Sequence, residues 1–364
     1  MNKKNRQNFL TAWGSLSLIF FLVPLLAACS PQSASPTEEP PITVTMTGTE
    51  PEATPTSRPT STPTPAPLGS TGNPIIMGFV LTPEQTNEIE PAEDLAFLLT
   101  QESEFSVESA VFPDFASLES AIKAGSVHLA WLGPFEYLYL NKTGAVDVMI
   151  MTNHLGVYAY GVKFLANVTR GFTTYFDPNT NQSIGDPIAA MQQFSGTRPC
   201  FLESNSIPGY YVPLGLLANA STPTLEPVFT FSYNATIRAL YIQGICDFGV
   251  SYALIGDPRN SNDILQNIPE AQSEIIVIWQ SEGIIPNTNL SAAQNLPLNI
   301  RFQIQEAFIR LSQQSTALSL LSTALSYDVE ALRTQEDSFY NPLRTVIESL
   351  ELDLQNIINP PSQE

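Results

Sequence analysis

Few side chains in this 364-residue sequence are equipped for covalent or metal chemistry. Two histidines, His128 and His154, and three cysteines, Cys29, Cys200 and Cys246, show neither CxxC nor His-rich metal spacing. No Gly-x-Gly-x-x-Gly or Gly-Lys-Ser/Thr loop and no Gly-x-Ser-x-Gly elbow is present. The 35 acidic residues are scattered, so no carboxylate pair stands out for acid–base hydrolysis. No catalytic residue, metal ligand or cofactor is therefore assigned, and the chemistry left is noncovalent. Hydroxyls and amides at helix starts hold anions, because the orphan N–H groups of the first turn point outward. Ser206 precedes a helical stretch, where its hydroxyl would cap and bind with the same amides. Tyr137 sets a hydroxyl in a largely apolar helix, and Tyr233 begins another. Phe115 reads as a cleft wall or a core ring. His128 lies in a strand and reads as structural, whereas His154 sits in a loop.

Three dissimilar segments carry these residues. Lys3, Lys4 and Arg6 precede an uncharged apolar run that ends in Leu26-Ala27-Ala28-Cys29. That is the layout of a signal peptide over 1–28, closed by what looks like a bacterial lipobox. Acylation of Cys29 would anchor the chain in membrane lipid, since its acyl chains bury enough CH₂ groups for stable insertion. Cleavage there would leave 12 cations against 35 acids, a net charge of −23. Such an acidic chain argues against nonspecific nucleic-acid binding. Residues 29–74 then form a Pro/Ser/Thr-rich tether without apolar periodicity, expected to be disordered and extended. Cys200 and Cys246 fit a bridge or two buried thiols equally well.

The remaining sequence alternates apolar runs with helical stripes. Strands are expected near 74–80, 105–112, 127–132, 145–151 and 156–167, with helices over 115–124 and 135–140. A second alternation follows: helices 186–193, 209–220 and 234–243, and strands 198–203, 228–231, 246–252 and 274–280. Helical patterns then fill 296–320 and 328–354. The alternation predicts an α/β body of βαβ units with parallel sheets, split into lobe 1 (75–158), lobe 2 (159–284) and a return to lobe 1 (285–364). Its ligand would sit in the interlobe cleft, outside the carboxyl ends of the strands.

Several runs carry a family resemblance. Residues 121–137, with Trp131-Leu132-Gly133-Pro134, resemble the first-lobe signature of phosphate/phosphite/phosphonate ABC-transporter substrate-binding proteins. Ser206-Ile207-Pro208-Gly209, Ser232-Tyr233-Asn234-Ala235, Asp247-Phe248-Gly249-Val250 and Ile285-Pro286-Asn287 follow in the family's order. The resemblance covers about 75–325. It implies a two-lobed periplasmic-binding-protein-like (type II) clamshell that closes on a small oxyanion and delivers it to the transmembrane subunits of an ABC permease. It also implies a lipid-anchored position on the outer face of a bacterial cell membrane. The ligand residues it implies are Phe115, Tyr137, Ser206, Ile207 and Tyr233. Where the family usually reads Ser-Thr-Ser-Gly, Ile207 and Pro208 replace two hydroxyls, and Pro208 has no N–H. Ala253 stands where a carboxylate is common, which disfavours an aminoalkyl-phosphonate. The competing reading is a receptor, adhesion or signalling module that keeps the fold with an altered pocket.

Overall fold

The computed structural model describes residues 65–360. The signal segment, Cys29 and most of the tether lie outside the described residues. Residues 65–74, assigned by composition to the tether, fold onto the body instead. The Gly69 N–H donates to Asn73 O at 2.8 Å and the Ser106 N–H to Gly69 O at 2.7 Å, and Leu68 joins the core of lobe 1. Among the described residues, no helix is long and apolar enough to cross a membrane.

Lobe 1 opens with β1 (Ile75–Val80), α1 (Ile89–Ser103), β2 (Val107–Phe112), α2 (Phe115–Lys123), β3 (Leu129–Leu132), α3 (Pro134–Lys142) and β4 (Val146–Asn153). The chain then enters lobe 2 through β5 (Ala159–Asn167), which is followed by the small hairpin β6 (Phe176–Asp177) and β7 (Gln182–Ser183). Next come α4 (Pro187–Gln192), β8 (Pro199–Phe201), a single π-helical turn Ile207–Tyr211, α5 (Val212–Asn219) and β9 (Val228–Phe229). Lobe 2 ends with α6 (Tyr233–Ile242), β10 (Phe248–Ala253), α7 (Asn262–Asn267), α8 (Ala271–Glu274) and β11 (Ile275–Gln280). The return runs through β12 (Ile285–Pro286), β13 (Asn289–Ala293), α9 (Leu298–Leu311), α10 (Ser315–Ala324), β14 (Ala331–Thr334), α11 (Asn341–Glu348) and α12 (Leu354–Ile358).

The sheets are mixed rather than all parallel. Lobe 1 has the order β14-β4-β13-β3-β1-β2 and lobe 2 the order β11-β5-β10-β8-β9. β1 pairs in parallel with β2 and β3, whereas β13 runs antiparallel to β3 and β4. β5 likewise runs antiparallel to β10 and β11. The reason is topological: β5 and β13 each arrive from the other lobe, so each enters its sheet against the direction of its neighbours. The carboxyl ends of the parallel strands in both lobes still point toward the crossovers, as a cleft-binding protein requires.

Three elements depart from the periodicity reading. Residues 331–334 form β14, antiparallel to the edge of β4, within a stretch expected to be helical. The 15-residue α1 was not marked by the pattern, yet it buries Ala92, Leu95, Ala96 and Leu99 on one face, the spacing of an amphipathic helix. β13 was also unmarked; it is buried along its whole length, and Asn289, Ser291 and flanking small residues hide its strand character.

The crossovers and the C-terminal helices hold the lobes together. The Asn287 side-chain amide donates to Thr152 O at 3.1 Å and to Val157 O at 2.8 Å, clasping one crossover to the other. The Val162 N–H donates to Ser281 Oγ at 2.9 Å. α11 packs on α5 of lobe 2, where Gly215 leaves room for the Val346 carbonyl that any Cβ would strike, and α12 packs on α3 of lobe 1. The thiols of Cys200 and Cys246 are joined as a disulfide, with Cα atoms 5.6 Å apart. It ties β8 to the approach of β10, two strands that are already paired in parallel.

Candidate functional site

The lobe-1 wall is built by strand ends and helix starts. A cavity of about 200 Å³ is lined by Phe79 at the end of β1, Leu132 at the end of β3, Phe115, Gly133, Glu136 and Thr288. Asp114 accepts from the Ser117 N–H at 2.8 Å, which fixes the start of α2 and sets Phe115 at its first position. Phe115 is 8% exposed and meets the Tyr139 ring edge-on at 6.3 Å. Pro134 occupies the first turn of α3, where its missing N–H costs nothing.

Glu136 is the third residue of that turn. A Cβ added to Gly133 would lie 2.5 Å from Glu136 Oε2, so the carboxyl curls back over the helix start. Burial pushes this carboxyl above the usual range, and a hydrogen bond to its own backbone N–H only partly counters that. No lysine, arginine or histidine lines the cavity.

In lobe 2, the Gly209 N–H donates to Ser206 Oγ at 3.0 Å, capping the π-turn that leads into α5. Pro208 contributes no donor to this turn, and Ile207 packs half-buried against the core. π-turns inside helices recur at functional sites. Ser232 accepts from the Ala235 N–H at 3.1 Å and starts α6, so Tyr233 takes the first helical position. Its ring meets Tyr252 edge-on at 4.8 Å.

Phenols link the two walls. Tyr160, on the crossover strand β5, stands near Tyr233 of lobe 2 and Tyr327 of lobe 1. Burial raises the pKa of all three, so each remains a neutral O–H donor at ordinary pH; the nearby Ser206 hydroxyl partly offsets the rise at Tyr233. Tyr327 is set in place by His154, whose ring stacks on it at 4.3 Å and whose Nδ1 lies 2.8 Å from Asp328 O.

Of the residues expected to bind ligand, Ser206 and Tyr233 come together on the lobe-2 side, and Phe115 lines the lobe-1 cavity. Ile207 is a packing residue of the turn. Tyr137 is not brought to the cavity. It is fully buried, packs on Tyr340 at 4.1 Å, and its hydroxyl donates to Asp337 at 2.6 Å. A largely apolar helix hides which side the Tyr137 hydroxyl faces, and here the acceptor comes from 200 residues further along the chain. His128 is structural: its Nδ1 accepts from the Ile76 N–H at 3.0 Å. Arg238 is consumed by a bidentate pair with Asp263 at 2.6 and 2.7 Å. Sequence reasoning missed Glu136, Tyr160 and Tyr327. Glu136 stands two residues past the Trp-Leu-Gly-Pro run, but a Glu at this point of a helix reads as an ordinary N-terminal charge.

Among the described residues there is no group of three His, Cys, Asp or Glu side chains able to hold a metal ion. Helix starts, hydroxyls and aromatic walls of this kind can bind a small solute reversibly; they supply no nucleophile–base pair. Two α/β lobes joined by crossovers are the fold of a solute-binding protein of the periplasmic-binding-protein class. Residues 77–336 match the family described as ABC transporter, phosphonate, periplasmic substrate-binding protein, and the chain belongs to that family, which is non-catalytic.

A similar protein is the phosphate-import protein PhnD of Mycolicibacterium smegmatis, 22% identical over 215 residues, or 55% of this chain. The match spans 61% of that relative's length. Among solved structures, XAC2383 from Xanthomonas citri, bound to chloride ion, is similar with a TM-score of 0.51 and 13% identity, covering 78% of this chain and 98% of that one. PhnD1 from Prochlorococcus marinus, in complex with methylphosphonate, aligns with a TM-score of 0.46 and 14% identity over 76% of this chain and 98% of that one.

Proposed function

We propose that this chain is the solute-binding lipoprotein of an ABC importer. It captures a small oxyanion, phosphate, phosphite or phosphonate-like, by closure of the lobes and delivers it to the transmembrane subunits of a permease. Acylation of Cys29 holds it to the outer face of the cell membrane, and the Pro/Thr-rich tether gives the body its reach. What supports this reading is a set of helix starts: α2 and α3 at the lobe-1 cavity, and on lobe 2 the Ser206-capped turn and α6, whose Ser206 and Tyr233 lie together. Such termini present unpaired N–H groups and a positive dipole end to an anion without any cationic side chain. The neutral phenols of Tyr160, Tyr233 and Tyr327 add donors that match oxyanion acceptors. The replacement of two family hydroxyls by Ile207 and Pro208 supports the second reading, a receptor or adhesion module that keeps the fold.

Thermal unfolding of the full chain in detergent, against phosphate, phosphite, methylphosphonate and sulfate, separates the two. A bound ligand at 100 times its Kd adds about 2.7 kcal/mol to the folded state and raises the melting temperature. No rise with any oxyanion would sink the transport reading and leave the receptor reading standing.

A further inference from the structure

Eight arginines lie among the described residues. Six of them pair with a carboxylate: Arg170, Arg238, Arg259, Arg301, Arg310 and Arg344. Arg198 is exposed to water. Arg333 is different: it is half-buried, its Nε is enclosed without an acceptor, and it forms no ion pair among the described residues. An enclosed donor without an acceptor costs free energy and calls for a partner. The chain supplies none to it, although it carries 35 acids against 15 lysines and arginines. The guanidinium carbon instead lies 4.0 Å from the centre of the Tyr158 ring and 4.9 Å from that of Phe339. We propose that Arg333 anchors a carboxylate-binding site separate from the cleft. Two rings hold the guanidinium in place, and a carboxylate from outside the chain completes it.

Strand alternation puts the side chain there. Arg333 lies on β14, the edge strand of the lobe-1 sheet, opposite Met151 of β4. Leu332 turns into the core beneath α1 and α9, so Arg333 emerges on the other face, where Tyr158 and Phe339 pack. The acids close by in sequence are engaged or turned away. Glu330 accepts from the Gly156 N–H at 2.8 Å, and Asp337 is taken by Arg344 and the Tyr137 hydroxyl. Glu336 is exposed and makes no pair with Arg333. A ring at 4.0 Å covers the flat face of the guanidinium and leaves its N–H edge open. A carboxylate meets such an edge with two parallel hydrogen bonds in one plane. A tetrahedral anion sets its remaining oxygens above and below that plane, against the rings, so the site favours carboxylate over phosphate. Tyr158 also belongs to the first crossover, and its carbonyl accepts from the Asn287 N–H of the second at 3.1 Å. The site touches the hinge, yet it uses none of the residues proposed to hold the oxyanion.

The test is NMR of the full chain in detergent, labelled with nitrogen-15 at arginine alone, so that each Nε–H gives its own signal. Arg333→Lys identifies the Arg333 signal by its loss. Acetate, phosphate and chloride are then titrated at constant ionic strength. Acetate should shift the Arg333 signal saturably while the paired arginines stay still, with an affinity at least about fivefold above that for phosphate. Tyr158→Ala keeps the guanidinium but removes its stacking partner, and should weaken acetate about threefold. A blocked aspartate serves as the second probe. Binding tighter than acetate assigns the carboxylate to a partner protein's side chain; equal or weaker binding assigns it to a free small acid. Should either variant fail to fold, the wild type decides alone: one arginine signal must saturate with acetate and not with chloride. An Arg333 signal that acetate leaves unmoved, or that chloride moves equally, would overturn the site.

Discussion

The rings of Phe135 and Tyr211 pack with centroids 5.5 Å apart and planes tilted by 53°. Phe135 belongs to the first turn of α3 in lobe 1, and Tyr211 ends the π-turn of lobe 2, so this pair continues the apolar core from one lobe into the other. The two helix starts proposed to grip the solute therefore share a common seat. Truncation of Tyr211 to Ala removes a half-buried ring together with its aromatic pairing, and should lower the stability of the body by about 2 kcal/mol in urea unfolding. An unchanged midpoint would mean that the lobes do not depend on this seat.

Ser206 and Tyr137 make a matched pair of tests. Ser206→Ala removes a cap, at a cost of about 1 kcal/mol, and also removes a hydroxyl from the proposed site, so oxyanion affinity should fall about tenfold or more. Tyr137→Phe removes the hydrogen bond to Asp337 and a backbone contact at Val148, both away from the cavity. It should cost about 1 kcal/mol of stability and leave oxyanion affinity unchanged. Equal losses of affinity in both variants would place Tyr137 in the site after all.

The Cys200–Cys246 bridge closes a loop with a sequence separation of 46 residues. On the chain-entropy account it stabilises the fold by up to about 4 kcal/mol. Reduction, or the double substitution Cys200→Ser with Cys246→Ser, should lower the melting temperature and loosen lobe 2 first. Hydrogen exchange should show the earliest loss of protection in β8 and β10.

Acid should destabilise the protein through paired carboxylates. Burial alone would raise Asp337, but Arg344 and the Tyr137 hydroxyl outweigh it and hold the carboxyl below its ordinary range. Asp257 is buried as well, and Arg259 and Lys163 hold it low in the same way. A lowered folded value means that this stability is fully present above the unfolded pKa and is lost as pH falls through the folded one. The urea midpoint should therefore drop below about pH 4, and Arg344→Met should shrink that drop. Glu136 acts with the opposite sign: its raised value favours the folded state in acid, an advantage lost as pH rises through its folded pKa.

Much of the architecture was legible because strand and helix periodicities are local. The run 74–80 could hardly be anything but a buried strand, and the helical stripe over 115–124 begins at Phe115 as its spacing suggests. What failed was whatever depends on distant partners. β14 carries a short apolar stripe that a helix would also carry, and only the free edge of β4 makes it a strand. The cysteine pair was undecidable until β8 and β10 lay side by side. The orientation of Tyr137 is set by Asp337, and the gathering of Tyr160, Tyr233 and Tyr327 by the crossover; neither leaves a spacing in the sequence.

The central claim is that the cleft between the lobes holds a small oxyanion. Calorimetric titration of the full chain with phosphite and methylphosphonate at pH 7 tests it most directly. The expected result is saturable binding of one ligand per chain, weakened by Ser206→Ala and untouched by Tyr137→Phe. Absence of binding heat for either ligand, with phosphate equally silent, would contradict it.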